Sequence, residues 1–366
     1  MTESEPDTRL TPAKSSRDLT LTSELLARWL TENNDQMDKG EVRALRAPTT
    51  NGASNDIYLF DVLWTKGTAT QWEKLVLRVT PKVNRIFPQY ALERDFQLLR
   101  FLSDRTGVPV PKPRWLEPRP DLLGGSFYIM DRAPGAVPPD RPSYHAEGWF
   151  VEATAERRRQ IWMAGIEAMA RVHDVRPEHL GCNFFHPGSR RPGLDSQLPY
   201  YRRFYDWACN GDLSSRVADA FTWLEQNTPQ QENVRLTWGD ARLGNSIHDD
   251  EGRVTLLDWE MADFGDPGMD VMFWLFADYC ASDALGIPRL PGVPDAEETI
   301  DHYQSHTGRK LKDASFYEVF ALVRSSCIIS RMICMLGDEH TSPAHQTLHD
   351  NLVINRLAEV MGRLDI

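Results

Sequence analysis

The 366-residue sequence has no excess of basic residues, few cysteines and no long apolar run. Forty-one Lys and Arg against 53 Asp and Glu give a net charge of −12, which argues against a nucleic-acid partner because phosphate backbones attract positive charge. The five cysteines form no C-x-x-C pair with metal spacing and are predicted to be reduced. Because a membrane span and an apolar leader are both lacking, we expect a cytoplasmic protein without a membrane partner.

The composition is otherwise that of a globular protein, with 41% apolar and 26% charged residues, and the length allows two lobes. Residues 1–17 are polar and rich in Ser, Thr and Pro, which predicts a flexible tail. The segment Asp131–Pro142 holds four prolines and marks the densest break in the chain. We therefore expect an N-terminal lobe over residues 18–131 and a helical C-terminal lobe over residues 132–366.

Hydrophobic periodicity separates the two predicted lobes. In the first, it predicts a helix over 19–30, a helix over 90–102 and strands over 41–45, 56–64, 72–79, 114–117 and 126–130. In the second, it predicts two short strands, 234–237 and 254–257, and helices over 152–174, 199–209, 213–226, 268–283, 295–306, 314–336 and 343–363. The predicted class is α+β, with a small five-stranded antiparallel sheet lobe and a larger helical lobe.

The most informative residues for chemistry lie between positions 236 and 270. Asp240 and Asn245 have the D-x-x-x-x-N spacing of a kinase catalytic loop, in which the acid accepts a hydroxyl proton and the amide holds a metal. Asp258 ends an apolar run, so a strand would bring a second carboxylate to the same site. Mg²⁺ prefers such hard oxygen ligands. The pattern predicts Asp240 as the base and Asn245 and Asp258 as magnesium ligands, although each alone also suits a turn or a strand end.

These motifs resemble the aminoglycoside phosphotransferase-like (phosphotransferase enzyme) family, above all its branch related to the kinase domain of acyl-CoA dehydrogenase fusion proteins. The family's H-G-D-x-x-x-x-N and D-W-E motifs match positions 238–245 and 258–260, with Trp238 in place of the usual His. The resemblance covers nearly the whole chain after the tail. It implies a protein-kinase-like two-lobed fold that binds ATP and magnesium between its lobes. Residues 18–131 would form the nucleotide-binding lobe, and residues 132–366 would carry the catalytic loop and the acceptor site. Asp270 matches the family's G-D-P-x-x-D run and is expected to brace the catalytic loop. Alternatively, it is an acid at a helix N-terminus, where the helix dipole stabilises negative charge.

The segment from Thr50 to Asn55 resembles the family's G-x-S-N phosphate loop. Gly52 would let backbone amides approach a phosphate, and Ser54 and Asn55 would add hydrogen bonds. A hairpin turn explains the same residues about as well.

Further residues are implied as nucleotide contacts because they occupy the positions of known nucleotide contacts in kinases. Arg78 falls where kinases carry the strand lysine that pairs with phosphates and with a helix acid, here Glu93 or Asp95, although it also suits a sheet surface. Met130 and Arg132 lie in a segment that resembles the hinge whose backbone meets the adenine, and Met130 equally suits core packing.

The acceptor is left open by the sequence. An aminoglycoside would suit the acidic charge, whereas a hydroxyacyl-CoA would suit the more similar branch and would need basic contacts such as Arg202, Arg203 or Arg242. In both cases the partners are a nucleotide and a hydroxylated small molecule. The alternative is a nucleotide-binding pseudokinase or scaffold, which the unusual Trp238 and Arg78 favour.

Overall fold

The computed structural model describes residues 17–35, 37–48, 54–188, 191–336 and 347–365. Its chain divides into two compact units, one reaching to residue 106 and including 110–134, the other formed by 107–109 and the residues from 135 onward. Gly52 of the predicted phosphate loop, and all of the predicted tail except Arg17, lie outside the described residues.

The first unit is built on one antiparallel sheet. Its strands follow the order β1-β2-β3-β5-β4, and the longest register runs from Asp56 opposite Val79 to Lys66 opposite Ala69. This confirms the predicted five-stranded sheet with an interposed helix. The elements are α1 (Leu19–Glu32), β1 (Lys39–Arg46), β2 (Asp56–Lys66), β3 (Ala69–Val79), α2 (Leu92–Arg105), β4 (Pro113–Glu117) and β5 (Phe127–Asp131).

Alternation along β2 decides which face of the sheet forms the core. Tyr58, Phe60, Val62 and Trp64 are buried, while the residues between them are partly exposed. Leu26, Trp29 and Leu30 of α1 belong to the same buried cluster. Along β2, one face of the sheet is therefore packed, and the other is partly exposed.

The second unit is mainly helical and contains two small antiparallel sheets, β6 with β9 and β7 with β8. The predicted helices are confirmed, although the last begins at Leu352 because the Asn351 side chain accepts the N–H groups of Val353 and Ile354 as an N-cap. The sequence patterns missed β7, β9 and two single-turn helices. The elements are α3 (Trp149–Glu152), α4 (Ala155–Val172), α5 (Pro177–Leu180), α6 (Leu194–Ala208), α7 (Ser215–Gln226), β6 (Arg235–Thr237), β7 (Ser246–His248), β8 (Val254–Leu256), β9 (Asp263–Gly265), α8 (Gly268–Ala281), α9 (Ala296–Thr307), α10 (Ala314–Leu336) and α11 (Leu352–Arg363).

None of the helices in the described part of the chain combines the length and the apolarity needed to cross a membrane.

A buried carboxylate joins α1 to the sheet edge of the first unit. Glu117 of β4 accepts a hydrogen bond from the Trp29 indole at 3.0 Å and from the backbone N–H of Arg119 at 3.0 Å. The Arg119 side chain lowers the pKa of Glu117 most, and with the indole and backbone donors it outweighs burial, so the pKa falls from 4.5 to about 2.

We predict that Glu117→Gln removes an acid-sensitive part of the stability. A lowered folded-state pKa stabilises the fold above pH 4.5, and that stabilisation is lost as the pH falls from 4.5 toward 2. Urea denaturation should show a loss of about 1–2 kcal/mol for the variant at pH 7, the size expected for a hydrogen-bonded charge. The difference from wild type should shrink as the pH falls to about 3.

Glu73→Gln is the matched control, because Glu73 pairs with Arg114 at 3.3 Å in the same sheet but lies 23% exposed. A wild-type difference for Glu117→Gln that is independent of pH would contradict the assignment.

Candidate active site

The segment that carries Asp240 leaves β6 through a glycine. Gly239 has a φ of +91°, and a Cβ there would lie 2.0 Å from the backbone oxygen of Met261. Only glycine combines that backbone with so close an approach. The chain then passes through Asp240 into a 3-10 turn at residues 243–245, which returns Asn245 toward the aspartate.

The predicted base and the predicted metal ligand are in direct contact. The Asn245 amide nitrogen donates to the Asp240 Oδ2 atom at 2.7 Å and to the Asp240 backbone oxygen at 3.1 Å. Because the nitrogen makes both bonds, the amide oxygen is the atom that Asn245 can offer to a cation. The five-residue spacing thus closes a loop that brings the Asn245 amide into contact with the Asp240 carboxylate.

Arg242 joins the predicted base to another acid. Its Nε atom lies 3.1 and 3.2 Å from the two Asp240 carboxylate oxygens, and its Nη1 atom pairs with Asp140. Gly244 permits this arrangement, since a Cβ there would lie 2.1 Å from an Asp140 oxygen. The guanidinium therefore neutralises two carboxylates and restricts the rotation of the Asp240 side chain.

Asp258 contributes charge to the same site. Burial raises the pKa of the Asp240 carboxyl; the Arg242 charge opposes this rise, and the Asp258 charge adds to it. The strand predicted before Asp258 is present, but β8 ends at Leu256, one residue earlier than predicted, and Asp258 itself has a left-handed φ of +60°. Asp tolerates that backbone better than most residues. The structure thus places two mutually repelling carboxylates near one amide oxygen.

Asp270, at the start of α8, holds the backbone of the catalytic loop. Its side chain is wholly buried and accepts the N–H groups of Trp238 at 2.5 Å and Gly239 at 2.9 Å. His173 contacts the same carboxylate at 3.1 Å through Nε2 and the Tyr303 hydroxyl at 2.8 Å through Nδ1. The expected bracing role of Asp270 is confirmed, and His173 has a structural position behind it.

Trp238 and Arg324 complete the support of the loop. The Trp238 indole is fully buried and donates to the Leu257 backbone oxygen at 2.7 Å, immediately before Asp258. Arg324 of α10 donates to the Gly239 backbone oxygen at 2.6 Å and to the Tyr201 hydroxyl at 3.2 Å. Trp238 therefore joins the Asp240 and Asp258 segments, and its substitution for the family's His leaves the loop braced.

The predicted nucleotide contacts lie in the other unit. Ser54 and Asn55 are buried at the start of β2, with the Asn55 amide 3.4 Å from the Ser54 hydroxyl. Arg78 is buried on β3 between partners in β2 and β5. Of the two acids proposed to pair with it, Asp95 is buried and Glu93 is exposed, so burial favours Asp95.

Backbone hydrogen bonds limit which groups of the predicted hinge are available to contact an adenine. Met130 is buried within β5, which pairs with a strand on each side. The N–H groups of Asp131 and Arg132 donate to Lys112 and Lys74 at 2.9 and 3.0 Å, and the Arg132 side chain pairs with Asp61. These two N–H groups are thus already occupied by sheet contacts.

Sequence reasoning missed Asp140 and Arg324 as parts of the site. Asp140 lies in the proline-rich segment, 100 residues before Asp240, and Arg324 lies in a long apolar helix, 84 residues after it. The one available signal is a charged residue within the apolar pattern of α10, since an Arg in a buried face needs specific acceptors.

Comparison with known proteins finds similarity over most of the chain. The model of the phosphotransferase enzyme family matches residues 47–302. A Ralstonia eutropha protein assigned as an aminoglycoside phosphotransferase superposes with a TM-score of 0.62 at 22% identity, covering 93% of this chain and 94% of that one. Choline kinase from Cryptosporidium parvum gives a TM-score of 0.55 at 12% identity over 95% of both chains. These likenesses show the protein-kinase-like fold.

Sequence relatives include longer proteins. An acyl-CoA dehydrogenase of Arabidopsis thaliana, IBR3, is 25% identical over 84% of this chain, and mouse acyl-CoA dehydrogenase family member 10 is 28% identical over 80%. The aligned regions span only 38% and 27% of those proteins.

We predict that Asp270→Asn separates catalytic from structural effects. An amide can accept only through its oxygen, so one of the two loop N–H groups would lose its partner, at a cost of about 2–4 kcal/mol in unfolding free energy. Displacement of Asp240 should lower kcat at least ~10-fold once an acceptor is identified. Urea denaturation and steady-state kinetics measure the two effects.

Asp278→Asn is the matched control on the same helix. Asp278 is also buried but contacts Tyr144, His145 and Arg289 rather than the loop. It should destabilise the protein while leaving kcat of the folded fraction near wild type. Equal kcat losses in both variants would argue against a bracing role for Asp270.

Proposed function

Because this chain belongs to the phosphotransferase enzyme family, we propose that it transfers the γ-phosphate of ATP to a hydroxyl group of a small molecule. The observation that supports this most is the contact at 2.7 Å between the buried Asn245 amide and the Asp240 carboxylate, with the charge of Asp258 acting on the same carboxylate. This is the arrangement that phosphoryl transfer needs, with a base beside a cation site.

The donor set fits magnesium. Asn245 offers an amide oxygen and Asp258 a carboxylate, both of which are hard oxygen ligands. The repulsion between Asp240 and Asp258 is relieved when a cation is bound. We therefore assign Asn245 and Asp258 as the residues that would hold magnesium. When bound, the cation neutralises charge on the nucleotide phosphates.

In the proposed mechanism, Asp240 orients the acceptor hydroxyl and accepts its proton as the hydroxyl oxygen attacks the γ-phosphorus in line with the leaving oxygen. Arg242 keeps the Asp240 carboxylate in one orientation. Positioning of this kind accounts for much of the rate in this reaction class. Ser54, Asn55, Arg78 and Asp95 are the proposed contacts on the nucleotide side, with Met130 and Arg132 in the proposed hinge and Gly52 in the proposed phosphate loop.

For the acceptor, we propose an alcohol group on either an aminoglycoside-like molecule or a hydroxyacyl-CoA. Structural neighbours support the first, and the acyl-CoA dehydrogenase relatives support the second. Amicoumacin kinase hAmiN, solved with AMP-PNP, Ca²⁺ and amicoumacin, has a similar fold with a TM-score of 0.52 at 16% identity over 88% of this chain and 87% of its own. Of the basic residues suggested for CoA, Arg203 is the most exposed. Arg202 pairs with Glu225, and Arg242 pairs with two acids.

The test is acceptor-dependent ADP release with aminoglycosides, choline and hydroxyacyl-CoAs as candidates. We expect Asp240→Asn to lower turnover on the active acceptor by about 10²–10⁴-fold, as for loss of a general base. ATP binding, measured by calorimetry with magnesium, should be nearly unchanged. Asp258→Asn should instead weaken magnesium-dependent ATP binding.

ATP binding without turnover on any acceptor would point to the pseudokinase alternative. Full turnover by Asp240→Asn on a proven acceptor would overturn the base assignment.

We predict that Arg242→Met lowers kcat by about 10–100-fold because the Asp240 carboxylate loses its orientation. Arg242→Lys should recover only part of this loss, since an ammonium cannot reproduce the fork between two carboxylates. The KM for ATP should change less than kcat. Steady-state kinetics at saturating acceptor measure both quantities.

Arg363→Met provides the control, because Arg363 also pairs with an acid, Glu318 at 2.8 Å, but on the exposed side of α11. A kcat for Arg242→Met equal to that of this control would exclude a positioning role.

A further inference from the structure

A group of metal-binding side chains lies on the helical unit, on two helices that do not carry the catalytic loop. Glu167 is on α4, and His302 and His306 are on α9. One ligand atom from each of the three lies within 4.8 Å of the others. None of these residues belongs to the motifs that predict phosphoryl transfer.

The spacing of the two histidines follows from the helix. Residues four apart lie on one face, one turn above the other, and the imidazole rings of His302 and His306 are nearly parallel at a centroid distance of 6.1 Å. The His302 Nε2 atom lies 3.1 Å from a Glu167 carboxylate oxygen. Donor atoms around a tetrahedral zinc with bonds of about 2.0 Å are roughly 3.3 Å apart. The cluster therefore needs only small side-chain rotations to bind a metal.

Contacts between α4 and α9 hold the three ligands in place. The Trp162 indole donates to the Thr299 hydroxyl at 3.0 Å, and Arg159 pairs with Glu298 at 3.0 Å on one side of the cluster. His173 at the end of α4 contacts Tyr303, which lies next to His302. Because the helix pair is already fixed, little conformational entropy is lost when a metal binds.

We propose that Glu167, His302 and His306 form a surface site for a divalent transition metal such as Zn²⁺. Two imidazole nitrogens and one carboxylate oxygen suit such ions, and water completes the coordination. The metal would connect α4 to α9. The net charge of −12 would favour cation binding further. The site is independent of the proposed phosphotransferase chemistry.

The test is Zn²⁺ binding by the full-length protein after EDTA treatment and buffer exchange, measured by calorimetry and by thermal unfolding. Wild type should show a Zn²⁺-dependent rise in Tm. His306→Ala removes an exposed ligand with little expected effect on the fold and should weaken binding at this site more than ~10-fold. Glu167→Gln should weaken it as well.

His349→Ala is the matched control, because exposed His349 also pairs with an acid, Asp212 at 2.9 Å. It should retain the wild-type response to Zn²⁺. Zinc bound at the catalytic carboxylates or at cysteines would contribute equally to all variants, and Co²⁺ spectra would show any thiolate ligand. Identical Zn²⁺ binding by wild type and His306→Ala, or no Tm response in wild type, would overturn the proposal.

Discussion

The site depends on one wholly buried carboxylate, that of Asp270. A charge removed from water is stable only if polar partners replace its hydration, and here two backbone N–H groups of the catalytic loop and the His173 ring supply them. The Asp270 carboxylate and the loop backbone depend on each other. The carboxylate fixes the loop, and the loop satisfies the carboxylate, so the backbone before Asp240 has little freedom to move.

The charged side chains around Asp240 compensate one another only in part. Asp140, Asp240 and Asp258 bring negative charge to a small region, and Arg242 neutralises part of it. The remaining repulsion between Asp240 and Asp258 supports the cation site proposed there. Trp238 connects the two acidic segments through a single indole hydrogen bond.

Much of the fold was predictable because its periodicities are strong. The five strands, the interposed helix and the long helices of the second unit follow from the spacing of apolar residues, which local geometry translates directly into faces. The short strands β7 and β9 were missed because each contains a single apolar residue, whereas the segments predicted as strands at 234–237 and 254–257 contain two and three. Asp258 was expected at a strand end but lies in a left-handed turn, a backbone state set by the surrounding packing.

The sequence by itself predicted a phosphotransferase, because Asp240, Asn245 and Asp258 are close in the chain and their spacing is a local property. Tertiary structure alone decided what supports them. Asp140, His173, Tyr303 and Arg324 come from segments distant in sequence, and their partners are selected by the need to satisfy every buried charge and backbone group. That selection depends on how the helices of the second unit pack. Such packing cannot be predicted from a short motif.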